Sequence, residues 1–177
     1  SLDASLATWP ATDLALGDDG TGTPAVGFIT PGGQLGVLRE GDTGQAEVQV
    51  HDLPQAVQQA VEWADAGVLS AIAADGTVYI LQHDGSGYTA VEAGKVPEGY
   101  DKARIVELAG RLYGATPNRT VWQGELGADF GAFPVGDGTM GVLDVTPTHL
   151  LLGNEEEVWA LPVEGGAPTP PARIQVP

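Results

Sequence analysis

Three observations on this 177-residue chain predict an all-β fold. Apolar and polar residues alternate in many short runs. Tight-turn residues such as PGG, GDTG, ADG and GDG separate those runs. Two markers of different chemistry recur with a common period. The first is an apolar or aromatic residue inside a strand that follows a tight turn: Val37, Tyr79, Trp122 and Trp159, spaced 42, 43 and 37 residues apart. The second is a proline that closes a strand: Pro54, Pro97, Pro134 and Pro177, spaced 43, 37 and 43, with Pro10 another 44 before Pro54. A period of about 40–50 residues carrying about four strands is the pattern of a propeller blade. The predicted architecture is a β-propeller of four blades, each of about four antiparallel strands. It forms a single domain, with an N-terminal arm at 1–10 and blades at 11–54, 55–97, 98–134 and 135–177.

Each blade is justified by its own runs. In the first, AVGFIT (25–30), QLGVLRE (34–40) and AEVQVHD (46–52) alternate with a period of two. In the second, VLSAIAA (68–74), TVYILQH (77–83) and YTAVEA (88–93) do the same. The segment DLPQAVQQAVEWADAG (52–67) competes for helix, because Val57 and Val61 are four apart and Asp and Pro stand at its start. The repeat favours a strand there, VQQAVEW, as the innermost of its blade. The third blade has ARIVELA (103–109), RLYGAT (111–116) and TVWQGEL (120–126). The fourth has GVLDVT (141–146), HLLLGN (149–154), EVWALPV (157–163) and ARIQV (172–176). The intervening Gly, Asn and Asp residues tolerate the positive φ that hairpin turns need. One small sheet cannot cover both its faces, so stacking of neighbouring blades supplies the core.

Composition narrows function more by exclusion than by assignment. There are 24 acidic residues against 7 basic ones, a net charge of -17. Such a surface repels nucleic acid, whose phosphates require clustered Lys and Arg. The chain has no cysteine, which removes disulfides, thiolate nucleophiles and Cys-ligated metal. No run reaches the roughly 18 apolar residues of a membrane-spanning helix. A start at Ser1 rather than Met fits a mature product, and the expected location is extracytoplasmic: periplasm, cell envelope or cell surface.

Two segments resemble known propeller repeats. VQQAVEWADAGVLSAIAADGTVYIL (57–81) looks like a WD-type blade, with Trp63, a polar turn, a small-residue strand and Asp75-Gly76. VWALPVEGGAP (158–168) resembles the Tol-type periplasmic propeller repeat, in which a Trp or Tyr strand runs into a Gly-Gly-x-Pro turn. The Gly-His and Trp-Asp dipeptides of WD repeats are missing. The resemblance implies a fold and carries no activity.

Candidate chemistry is sparse. His51, His83 and His149 each sit in or beside a strand, with no second His at the spacing of a metal motif. HDGSGY (83–88) reads as a hairpin turn and not as a serine-nucleophile elbow. GDDGTG (17–22) places Asp18 and Asp19 next to flexible backbone, which would suit an oxygen-loving cation such as calcium, while no cofactor is otherwise expected. Plain Asp-Gly turn chemistry accounts for the same residues. Trp9 lies in the terminal arm beside Pro10 with no blade to fill, and is the candidate anchor for a protein partner. Glu155, Glu156 and Glu157 form a negative turn that would meet a cation or a basic partner. With no nucleophile-base pair or cofactor motif in view, the expected function is a non-enzymatic protein-binding or assembly module, an accessory subunit of an exported or cell-surface complex. The alternatives are a hydrolase or lyase at the mouth of the propeller channel, or a calcium- or carbohydrate-binding domain.

Overall fold

A computed structural model describes residues 11–41, 43–63, 67–83, 87–98, 104–108, 111–116, 119–122, 128–133, 142–146, 148–153, 158–164, 167–168 and 172–174. All regular structure among them is β, and every strand pairing is antiparallel. Among the described residues there is no helix.

The strands form four sheets, each a meander of consecutive strands. Sheet 1 holds β1 (Asp13–Asp18), β2 (Pro24–Ile29), β3 (Leu35–Glu40) and β4 (Ala46–His51). Sheet 2 holds β5 (Val57–Trp63), β6 (Leu69–Ala73), β7 (Thr77–His83) and β8 (Tyr88–Lys95). Sheet 3 holds β9 (Arg104–Leu108), β10 (Arg111–Thr116), β11 (Arg119–Trp122) and β12 (Gly131–Phe133). Sheet 4 holds β13 (Val142–Thr146), β14 (His149–Gly153) and β15 (Val158–Glu164), with two short pieces, β16 (Ala167–Pro168) and β17 (Ala172–Ile174), sharing the outer edge of β15. The segment that competed for helix is strand β5. Its Val57 is drawn into the core between sheets 1 and 2, and packing decides against a helix there.

The sheets stack in chain order. β1 and β2 lie against β5, β5 and β6 against β9, and β9 and β10 against β13. Among the described residues no comparable contact joins sheet 4 to sheet 1, and no closed ring is present.

Two apolar clusters hold sheets 1 to 3 together. Between sheets 1 and 2 lie Ala25, Ile29, Leu35 and Val37 from one side and Leu69, Ala71, Tyr79 and Leu81 from the other. Between sheets 2 and 3 lie Val68, Ile72, Val78 and Ile80 against Ile105, Leu112 and Phe130. The residues that sheets 1 and 2 send forward match one for one at an offset of 43: Ala25 with Val68, Ile29 with Ile72, Leu35 with Val78, Val37 with Ile80. The strand pairings agree, since Gly27↔Val37 corresponds to Ser70↔Ile80 and Val26↔Leu38 to Leu69↔Leu81.

This corrects the first sequence marker. Val37 faces sheet 2, whereas Tyr79, 42 residues later, faces back toward sheet 1. A slip of one residue turns a side chain to the opposite face of a strand. The repeat partner of Val37 is Ile80, which is fully buried against sheet 3.

Backbone bonds complete the joints. The β2–β3 turn is closed by Gly33, at φ 79°, and the β6–β7 turn by Gly76, at φ 89°, a backbone region in which residues with a Cβ are strained. The Gly33 carbonyl accepts from Val57 N at 3.0 Å, joining sheet 1 to the start of sheet 2. Phe130 N donates to Lys95 O at 2.9 Å and Ser70 Oγ to Ile105 O at 2.8 Å, joining sheets 2 and 3.

Candidate functional site

The densest polar constellation among the described residues lies at one end of the joint between sheets 1 and 2. It starts at the β1–β2 loop. Asp18 Oδ1 accepts from Gly20 N at 2.7 Å and from Gly22 N at 3.1 Å. Asp19 Oδ1 accepts from Thr21 N at 2.9 Å, Thr21 Oγ1 at 2.5 Å and Thr23 N at 3.3 Å. Asp side chains fold loops in this way because a short carboxylate reaches backbone donors two residues on. The two carboxylates predicted as calcium ligands are thus adjacent, and the inner oxygen of each is occupied by the loop's own donors. Among the described residues there is no group of three His, Cys, Asp or Glu side chains arranged to hold a metal ion.

Asp19 is buried, and its other oxygen meets Arg39 Nη1 at 3.4 Å. Arg39, on β3, also reaches Glu47 Oε2 on β4 at 3.3 Å and His83 Nε2 at the end of β7 at 3.3 Å. A guanidinium only donates, so Nε2 is the acceptor in that contact. The His83 ring stands edge-on to Tyr88, centroids 5.0 Å apart. Tyr88 in turn lies edge-on to Trp63 at 6.4 Å. Trp63 Nε1 donates to Ala15 O on β1 at 3.1 Å. The Trp63 ring covers Gly17, where any Cβ would overlap its Cγ. Tyr88 N donates to Gln49 Oε1 on β4 at 3.2 Å.

The electrostatics follow from this geometry. Burial pushes the Asp19 carboxyl up, but donors from Thr21, Thr23 and Arg39 outweigh it and hold the group below its ordinary value. The Tyr88 hydroxyl is pushed up to about 12, first by burial and then by the negative charge of Asp19, against which Arg39 acts in the opposite sense. The hydroxyl is buried without a hydrogen-bond partner. One cation is therefore clamped by two carboxylates and a histidine, and an aromatic ladder leads from it to β1. Each charged group is committed to another protein group. The arrangement fastens the β1–β2 loop and sheet 1 to sheet 2.

The other sequence candidates fall elsewhere. His51, at the end of β4, is half-buried, and burial lowers its pKa. His149 is held locally, with Thr148 Oγ1 2.8 Å from Nδ1 and its own N–H on Thr146 Oγ1 at 3.1 Å. Trp9, Glu155, Glu156 and Glu157 lie outside the described residues. Arg39 escaped the sequence reading because two of its three partners, Asp19 and His83, stand 20 and 44 positions away, a separation that carries no local signal.

A second feature belongs to the surface. β1 is an edge strand, and its outward positions carry Leu14, 62% exposed, and Leu16, 83% exposed. By strand register they share one face of sheet 1 with Val26, Phe28, Leu38, Val48 and Val50. The Phe28 ring lies over Gly36 on that face.

Neither a protein-family model nor a curated protein matches this chain.

Proposed function

We propose that the chain is a non-enzymatic protein-binding and assembly module, an accessory subunit of an exported or cell-surface complex, whose four sheets are the blades of a β-propeller. The observation that carries this reading is the pair of outward leucines, Leu14 and Leu16, on strand β1. Both are exposed by more than half and stand two positions apart on one face of the strand, and clustered exposed apolar side chains mark surfaces that meet other proteins. The stacked meanders and the 43-residue correspondence of sheets 1 and 2 support the blade reading. The polar cluster supports the non-enzymatic reading, because its groups are spent on one another.

In this reading Trp9 and the turn Glu155–Glu157 are further partner contacts. The test is the native mass of the particle purified from its source. The expected particle is heavier than one chain, and Leu16→Glu releases the chain from it while its far-ultraviolet circular dichroism stays that of a β protein. A native particle containing a single chain overturns the reading.

A further inference from the structure

The face of sheet 1 that meets sheet 2 carries a histidine that the polar cluster does not use. Strand register sets His51 opposite Leu35, Gln49 opposite Val37 and Glu47 opposite Arg39. Residues directly opposite on antiparallel strands share a face, so His51, Gln49 and Glu47 lie on the side of Leu35 and Val37, toward sheet 2. Glu47 is held by Arg39, and Gln49 accepts from Tyr88 N. His51 has no such bond: its Nε2 is buried without a hydrogen-bond partner. It stands at the end of the joint away from Arg39, beside the fully buried Leu35. The β2–β3 turn, whose Gly33 carbonyl accepts from Val57 N, lies at the same end.

The charged groups of the packed elements give this ring no counter-charge. On sheet 1, Arg39 and Glu47 stand at the far end of β3 and β4, and Asp52 accepts from Gln34 Nε2 at 2.6 Å. On sheet 2, Glu92 shares the face of Tyr79, its register partner, and Asp75 is paired with Lys95 at 3.0 Å. Among the described residues none of them forms an ion pair with His51. Burial holds its pKa below the ordinary 6.5. A protonated imidazole carries a charge and two N–H donors, and water is the partner that satisfies both. The path outward is short, because His51 is half-buried and β4 is an edge strand.

We propose that His51 makes this end of the joint acid-labile: neutral, it packs between sheets 1 and 2, and protonated, it turns out into water and loosens the end of β4 with the Gly33–Val57 tie beside it. By linkage, a folded pKa below 6.5 gives a contribution that is complete above that value and is lost as pH falls through the lower folded value. Asp19 acts in a separate, more acid range, below its ordinary 3.8.

The test compares the wild type with His51→Leu and His51→Gln, which do not titrate at this position. Urea unfolding is followed between about pH 7 and pH 5, the range in which histidines change charge. His83 and His149 are common to all three proteins, so their effects cancel. The expected result is a wild-type midpoint that falls on acidification more steeply than that of either variant. Native-state hydrogen exchange adds a local reading: protection of the Val57 amide drops with pH in the wild type and holds level in His51→Gln. Parallel midpoint profiles for the wild type and His51→Gln overturn the proposal. Proton magnetic resonance of the native wild type decides without a variant. An imidazole in through-space contact with Leu35 that titrates below 6.5 supports it, and all three imidazoles titrating at 6.5 or above overturn it.

Discussion

Removing the Asp19 carboxylate tests whether the Arg39 cluster is a structural joint. In Asp19→Ala the backbone donors of Thr21 and Thr23 lose their acceptor, and Arg39 keeps only Glu47 and His83. Breaking a fully buried ion pair costs about 3–5 kcal/mol, and a hydrogen bond to a charged group contributes about 1.5–3. The Arg39 side chain is 21% exposed and retains other partners, which places the expected loss lower, at about 2–3 kcal/mol. Asp19→Asn keeps an acceptor for the loop and loses only the charge, so about 1 kcal/mol is expected. Urea unfolding followed by Trp fluorescence measures both. Acid adds a second reading. The folded pKa of Asp19 lies below its ordinary 3.8, so its contribution is full above that value and is lost as pH falls through the lower folded value. The wild type therefore loses stability faster than Asp19→Asn below about pH 4. Parallel pH profiles for the two, or a loss under about 0.5 kcal/mol in Asp19→Ala, would show that the cluster does not fasten the sheets.

Three further outcomes are expected. Ile80→Ala, at the true repeat partner of Val37, destabilises the protein by about 2–5 kcal/mol in urea unfolding, and a loss near zero contradicts its place in the core. Tyr88→Phe leaves stability within about 1 kcal/mol of wild type or raises it, because the hydroxyl has no partner to lose. In ultraviolet titration of the native wild type the tyrosinate signal belonging to Tyr88 develops at about 12. Its folded pKa is raised, so stability falls as pH climbs from the ordinary 10.0 toward that value, and a Tyr88 signal developing at 10 refutes the assigned environment. Millimolar calcium leaves the unfolding midpoint unchanged, since Asp18 and Asp19 already spend an oxygen each on loop donors; a rise that Asp18→Asn abolishes reverses this account.

Strand content was legible because it is written locally. GGQLGVL and DGTVYIL announce a turn and then a strand, and both are strands here. β1 was harder, because DLALGD turns its leucines outward and sets only Asp13, Ala15 and Gly17 inward, the reverse of an apolar-in, polar-out strand. Its inward Gly17 makes sense only once Trp63 is laid over it. The placement of Tyr79 failed for a different reason. An aromatic residue draws the eye, but strand side chains alternate, so a marker one position out reports the wrong face. The cross-sheet cluster was illegible in principle. Asp19, Arg39, His83 and Tyr88 meet only because two meanders stack, and the sequence shows each meander without its neighbour.

The Gly33–Val57 bond has a consequence for how such a chain grows. One of the ties between sheets 1 and 2 runs through a carbonyl on a turn and depends on no particular side chain. Any sequence that returns a donor to that turn meets the same acceptor. Duplication of a 43-residue unit in frame would then carry its own turn glycine, strands and forward apolar face, and extend the stack while earlier sheets keep their contacts. Lineages built on this joint are expected to differ first in the number of sheets, and only later in the residues between them.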